Sequence, residues 1–386
     1  MVWIEGIYTM SINVIISSLL IVALAAGLVD LLSGNRLGLG AELEKGIMSA
    51  GRLILIMTGF MMLAPPLSEI LSPLTAPLLT SIGCDPSAFA GLFLGNDSGG
   101  AALAMEMAID RDAGLYHGYI VGSMLGSTVM FLIALTMSFT TEENRTPAMY
   151  GLIAGIIPIP IGSILGGLVS GFDPKMVLIN TIPCIVLSMI LLVGLVRFRD
   201  KIVGFFIVFG KIMLGIAYFG LAVAALESIL GITLIENTGD IREILYIIGN
   251  IALFLAGAFP LLFILMKILK LPLAKLGKLL QLNELEITGL VATLANNMPT
   301  YHSLEQMTPR GVLLNLAFIV PASCVFGDHL AYTAQMAPEM VPGMIVAKLT
   351  TAVLSMLTGL MLLKKVDLTA ERPSKRKARS PAPENI

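Results

Sequence analysis

The chain has 386 residues, of which 56% are hydrophobic and 13% charged, with a formal net charge of -2 and a mean hydropathy of +0.90. This composition excludes an ordinary soluble domain and places the chain among polytopic membrane proteins. It also excludes a nucleic-acid binder, since no basic patch is interleaved with aromatics, and a redox or disulfide scaffold, since Cys84, Cys184 and Cys324 stand apart with no Cys-x-x-Cys.

Residues 1 to 33 carry Glu5 and no Lys or Arg ahead of Ala23-Leu24-Ala25, so they read as a retained first span and not as a cleaved signal. Runs long enough to span a bilayer fall at about 9–32, 47–68, 113–139, 147–171, 175–197, 203–232, 242–266, 309–336 and 340–363. These predict an all-α polytopic membrane protein with about nine transmembrane helices and two further interrupted segments, near 86–109 and 284–306. Short stretches at 71–83 and 271–283 read as interfacial helices or connectors leading into the interrupted segments. In the fourth span, Gly151-x-x-x-Gly155 and Gly162-x-x-x-Gly166 are small-residue faces for close helix packing. The Pro-, Lys- and Arg-rich tail 367–386 reads as disordered.

The interrupted segments repeat one device. In the later one, an apolar run of about ten residues ends at Asn296-Asn297-Met298-Pro299. Ten helical residues rise only ~15 Å, about half of the ~30 Å hydrocarbon core. Pro299 lacks an N–H and the amides compete for backbone groups, so the helix breaks there. The earlier one reads Gly91-Leu92-Phe93-Leu94-Gly95-Asn96-Asp97-Ser98-Gly99-Gly100; with two extra residues allowed in the later copy, Asn96-Asp97 falls on Asn296-Asn297. Paired broken segments in two related halves point to a transporter's binding site.

Orientation follows from the positive residues. Nearly all Lys and Arg can be cytoplasmic at once only if both interrupted segments are re-entrant, leaving Arg111, Lys175 and Arg242 outside. The N-terminus is then outside and the C-terminus inside. Residues 1–171 and 201–366 become inverted repeats joined by a connecting span at 172–200. If the broken segments cross fully, the chain has eleven spans and parallel halves.

Asp97 is the sharpest candidate for chemistry, an acid at a helix break among Gly95, Gly99 and Gly100. Two roles are open to it: ligand to a cation, or cap for the following half-helix through N–H groups such as those of Gly99 and Gly100. Asn96 and Ser98 flank it. Across the break, Asn296 and Asn297 offer uncharged donors and acceptors and Thr300 a hydroxyl, for a ligand or for the broken backbone. Asp328 and His329 lie in the eighth span and Lys348 in the ninth. With a hairpin turn near Pro338 and Glu339, residues 328 and 348 both sit ~15 Å below the turn, so an intramembrane Asp328–Lys348 ion pair is expected. The sequence carries no P-loop, His-Glu-x-x-His, Gly-x-Ser-x-Gly or Cys/His cluster, so neither an enzyme, a cofactor nor a metal is expected.

Leu290-Val-Ala-Thr-Leu-Ala-Asn-Asn-Met-Pro299, Gly327-Asp-His-Leu330, Met344-Ile-Val-Ala-Lys348 and Asn96-Asp-Ser-Gly-Gly100 resemble the ethanolamine-utilisation permease family, EutH, from the first span to Leu363. The resemblance implies a multi-pass bacterial inner-membrane protein that admits ethanolamine for breakdown. Asn96 and Ser98 depart from the small residue or Cys and the Met expected of the family there, which bears on fine specificity at the first break. A small ammonium with one hydroxyl needs a carboxylate, a few amides or hydroxyls and an aromatic face. Asp97, Asn96, Asn296, Asn297 and Phe93 would supply them. The partners expected are thus ethanolamine and the lipid bilayer, and a homo-oligomer is compatible with the reading. The rival readings are an ion-coupled nucleoside-type carrier and a membrane sensor.

Overall fold

The computed structural model describes the backbone of residues 2–363, with side chains from Val14 onward except at positions 15, 16, 52, 269–271, 273 and 274. The predicted basic tail lies outside the described residues. Among the described residues the protein is helical throughout and has no strand. The first half contains α1 (Val2–Leu32), α2 (Leu39–Ser81), two half-helices α3 (Ala88–Phe93) and α4 (Ala101–Met107), α5 (Arg111–Phe139) and α6 (Arg145–Val169). Helix α7 (Pro174–Arg197) follows. The second half contains α8 (Arg199–Leu230), α9 (Ile241–Leu280), half-helices α10 (Glu284–Ala295) and α11 (Met298–Ser303), α12 (Pro309–Ala322), α13 (Asp328–Met336) and α14 (Val341–Leu362).

Among the described residues, seven helices are long and apolar enough to cross a membrane: α2, α5 to α8, the part of α9 up to Ile268, and α14 with the turn before it. The apolar stretch Ser17–Leu32 of α1 and helix α12 are shorter. Two expectations are corrected. Helices α2 and α9 run unbroken for 43 and 40 residues, about 60 Å each, so 71–83 and 271–283 are their far ends and not separate connectors. Pro65, Pro66, Pro73, Pro77, Pro260 and Pro272 all lie inside these helices. A proline removes one backbone bond and kinks a helix without ending it where packing holds both sides.

The second correction concerns the eighth span, which is broken at Ser323–Gly327 and not continuous. Pro321 ends α12 one residue later, and Cys324 takes a φ of 55°. The exposed backbone is satisfied by the other break: Cys324 N–H donates to the Thr293 carbonyl (2.9 Å) and Phe326 N–H to the Leu294 carbonyl (2.8 Å). Those carbonyls lie in the last turn of α10, where no helical N–H follows to meet them. Two interruptions that would each be costly in lipid therefore satisfy one another.

Long-range packing pairs the halves. Helix α2 packs along α9, while α1 lies on α9 and α8 on α2. Close approach needs glycine: a Cβ on Gly59 would lie in the Ala217 carbonyl, and one on Gly257 against the Leu20 carbonyl. The predicted small-residue faces of α6 do pack closely, Gly151 and Gly155 on α12, Gly162 and Gly166 on α14. Outward faces of α7 and α8 carry exposed Met189, Val193, Val208 and Phe219, as lipid contact requires.

Both broken segments begin and end at one place. The Asp85 carboxylate accepts from Ser87 N–H at the start of the first (2.9 Å) and from Ile109 and Asp110 N–H after its end (3.0 and 2.9 Å). In the second, buried Glu286 caps α10 in a reciprocal pair with Asn283 and also accepts the Thr308 N–H (2.8 Å) and hydroxyl (2.7 Å). Each segment thus folds back on itself.

A polar cavity between two broken helices

At the first break, Leu94 and Gly95 are extended and Gly99 has a φ of +89°, so α4 restarts displaced from α3. A Cβ on Gly99 would clash with Phe60 Cβ of α2, and one on Gly126 of α5 with the Leu94 carbonyl. Glycine is therefore required for the break to sit between α2 and α5. Gly100 N–H bonds the Gly95 carbonyl at 2.9 Å, so this proposed capping donor is not spent on Asp97, whose Oδ1 accepts the Ser98 hydroxyl at 3.0 Å. At the second break, the Asn296 side chain caps Met298 N–H (2.9 Å) and Asn297 Nδ2 donates to the Ser323 hydroxyl (2.6 Å).

Asp97, Ser98, Asn296, Asn297, Asp328 and His329 line one cavity of about 190 Å³, together with Ser127 and Phe131 of α5, Met57 of α2, Ser323 and Cys324. Asp97 is 8% exposed. The cavity is of the size and mixed lining that suit a solute of a few heavy atoms. Asn96 is fully buried, with Nδ2 3.4 Å from the Thr333 hydroxyl and Oδ1 without a hydrogen-bond partner. Thr300 bridges the two sides of the second break, donating to the Gly289 carbonyl (2.7 Å) beside the Thr293 hydroxyl (3.0 Å). Phe93 lies outside the lining and packs with Phe89 and Phe209. The aromatic face in the cavity is Phe131, which sequence reasoning passed over because nothing distinguishes it within an apolar helix; Ser127 escaped for the same reason.

Lys348 is fully buried. Its ammonium donates to the Ser123 carbonyl (2.6 Å) and lies 2.9 Å from His329 Nδ1. His329 Nε2 in turn lies 3.8 Å from Asp97 Oδ1, too far for a direct hydrogen bond. Expected to pair with Asp328, Lys348 thus has the imidazole one residue further on as a close neighbour.

The cavity differs at its two ends. A second space of about 420 Å³ shares Ser49 and Asn296 with it and reaches Glu42 and Lys45, which pair at 2.6 Å with Lys45 well exposed. Toward the other end, Tyr119 of α5 stacks on Tyr332 of α13, centroids 6.0 Å apart and both buried. Beyond them, exposed Arg111 pairs with Glu339 at 3.0 Å.

A helical membrane protein with a small polar cavity lined by three helix breaks belongs to the class of transporters. The comparisons name the family. The chain matches "Ethanolamine utilisation protein, EutH" over residues 12–362 and belongs to that family of permeases, which are not enzymes. It is 43% identical over 357 residues to the "Probable ethanolamine permease EutH" of Listeria monocytogenes, covering 92% of this chain and 96% of that one. It is 36% identical over 359 residues to the Escherichia coli protein of the same name, covering 87% and 88%. The "Uncharacterized protein YxeR" of Bacillus subtilis is 40% identical over 344 residues, covering 89% and 93%. No solved structure matches.

Proposed function

We propose that this protein carries ethanolamine across the bacterial inner membrane, binding its ammonium form in the cavity between the two broken helices. The observation that carries the reading is that cavity: two carboxylates, two amides and an aromatic ring around a space of about 190 Å³. Ethanolamine's ammonium suits Asp97 and Phe131, and its hydroxyl suits Asn296, Asn297 or Ser98. The relatives' printed names support the substrate. Alternating access between inverted repeats 1–171 and 201–366 is supported by α1 lying on α9 as α8 lies on α2, and by the open space on the Lys45 side facing a tyrosine plug on the other. Purified protein in liposomes is expected to give saturable uptake of labelled ethanolamine at low concentration, suppressed by excess unlabelled ethanolamine and indifferent to uridine. Competition by uridine would transfer the reading to a nucleoside-type carrier, and binding without flux to a sensor.

The proposed orientation has both segments re-entrant, the first from outside and the second from inside, with the C-terminus cytoplasmic. Cysteines placed at exposed Ile82 and Ile109 should then be labelled from the outside, and at exposed Gln281 and Glu305 from the inside. Labelling of Ile82 and Ile109 from opposite sides would sink the arrangement.

The Asp328–Lys348 pairing is also a proposal. Neutralising either residue alone should cost ~3 kcal/mol or more by leaving a buried charge, and neutralising both should cost less than the sum. Thermal unfolding of the two single variants and the double variant in detergent reads this directly; strict additivity means that the two groups do not couple.

A further inference from the structure

Lys348 has no part in the binding site described above, yet an ammonium is among the costliest groups to hold inside a membrane. Its two hydrogen-bond neighbours are neutral, the Ser123 carbonyl and His329 Nδ1. An ammonium only donates, so Nδ1 accepts and the ring hydrogen resides on Nε2, which faces Asp97 Oδ1 across 3.8 Å. A buried amine, an imidazole able to take a proton on one nitrogen and give one from the other, and a carboxylate on the cavity wall stand in line. Asp328 and Cys324 share the cavity wall, and Tyr332 lies one turn beyond His329. On the helices packed against α14, Tyr150 of α6 sits in the cluster around Leu313 and Leu314, and Arg310 of α12 donates to the Leu280 carbonyl, so neither joins the line.

We propose that Lys348 and His329 form a proton relay behind Asp97, and that the protein exchanges one proton for each substrate ammonium it carries; this rests on the ethanolamine reading above. With the cavity empty, the Lys348 ammonium faces the Asp97 carboxylate through the ring, and Asp328 stands on the same wall. A substrate ammonium arriving at Asp97 brings a second positive charge into a site of low dielectric, where like charges repel strongly. The repulsion is relieved when the Lys348 N–H bond breaks, leaving its electron pair on nitrogen, and the proton bonds His329 Nδ1. The Nε2–H bond then breaks and that proton passes to water in the cavity, leaving a neutral ring in the other tautomer and a neutral amine. One charge enters and one leaves.

The test reads charge movement. In liposomes, ethanolamine uptake is measured as the component removed by excess unlabelled substrate, with and without an inside-negative potassium diffusion potential. One-for-one exchange is electroneutral, so the parent's initial rate should change by less than about twofold, whereas K348Q, unable to return a proton, should carry net charge and speed up about fivefold or more. Should K348Q fail to assemble, H329Q, which interrupts the relay, gives the same reading. A parent rate that rises severalfold with the potential overturns the proposal, as does a parent and variant pair both indifferent to it, since another ion would then balance the charge. Absence of any saturable ethanolamine uptake by the parent is a different result: it overturns the substrate reading, and this proposal with it.

Discussion

Asp97→Asn is expected to lower the affinity for ethanolamine by ~2 kcal/mol or more, about 30-fold, because hydrogen bonds to a charged group are the strong ones and gain strength where water is scarce. The substitution keeps the shape of the side chain, and its oxygen can still accept the Ser98 hydroxyl now 3.0 Å away. Only the charge facing the cavity is lost. Asn296→Ala should cost less, about 1 kcal/mol, the worth of a neutral hydrogen bond, although it also uncaps Met298 N–H. Saturable uptake at low external ethanolamine separates the two, since the free base leaks least there. If Asp97→Asn, shown by gel filtration to be folded, transports like the parent, the cation is recognised elsewhere, and Asp328 on the same wall is the next residue to neutralise.

Gly99→Ala should be the most damaging single methyl group in the protein's first half. At a φ of +89° an L side chain costs ~1–2 kcal/mol in the backbone alone. The added Cβ would also clash with Phe60 Cβ, an atom bonded directly to the α2 backbone that cannot swing aside, for a further ~1–3 kcal/mol of overpacking. The break would have to move away from α2, carrying Asp97 out of register with Asn296 and His329. Uptake should fall more than about tenfold and the midpoint of thermal unfolding should drop by several degrees. Gly204→Ala, where nothing lies within 4 Å of the new Cβ, serves as the control and should be neutral or slightly stabilising. A Gly99→Ala protein with parental stability and uptake would mean that the break is not held as described.

The second break explains why part of the site was legible beforehand. Pro299 and the two amides before it together announce an interruption, because the missing N–H and the competing side chains are properties of the residues themselves. The same logic located the first break from its run of glycines. It failed at Ser323–Gly327, where Pro321 stands in a run apolar enough to read as one span; prolines of the same kind in α2 and α9 leave those helices intact. Whether a proline kinks or ends a helix depends on who satisfies the freed carbonyls and amides. For Cys324 and Phe326 the partners are Thr293 and Leu294, some thirty residues earlier in the chain.

What the sequence by itself determined about this protein was the class: an apolar, all-helical membrane chain with two broken segments, and the acid and amides that mark them. Those follow from local rules, the length needed to cross lipid and the hydrogen bonds that proline and glycine withhold. Only the tertiary structure decided what shares the cavity. Asp97, Asn296 and His329 are more than thirty residues apart in every pairing, Phe131 and not Phe93 lines the cavity, and Lys348 lies against the His329 imidazole. Contacts of that kind arise from glycines that let whole helices approach, at Gly59, Gly126 and Gly257. A glycine in a sequence does not say which backbone will come to lie against it.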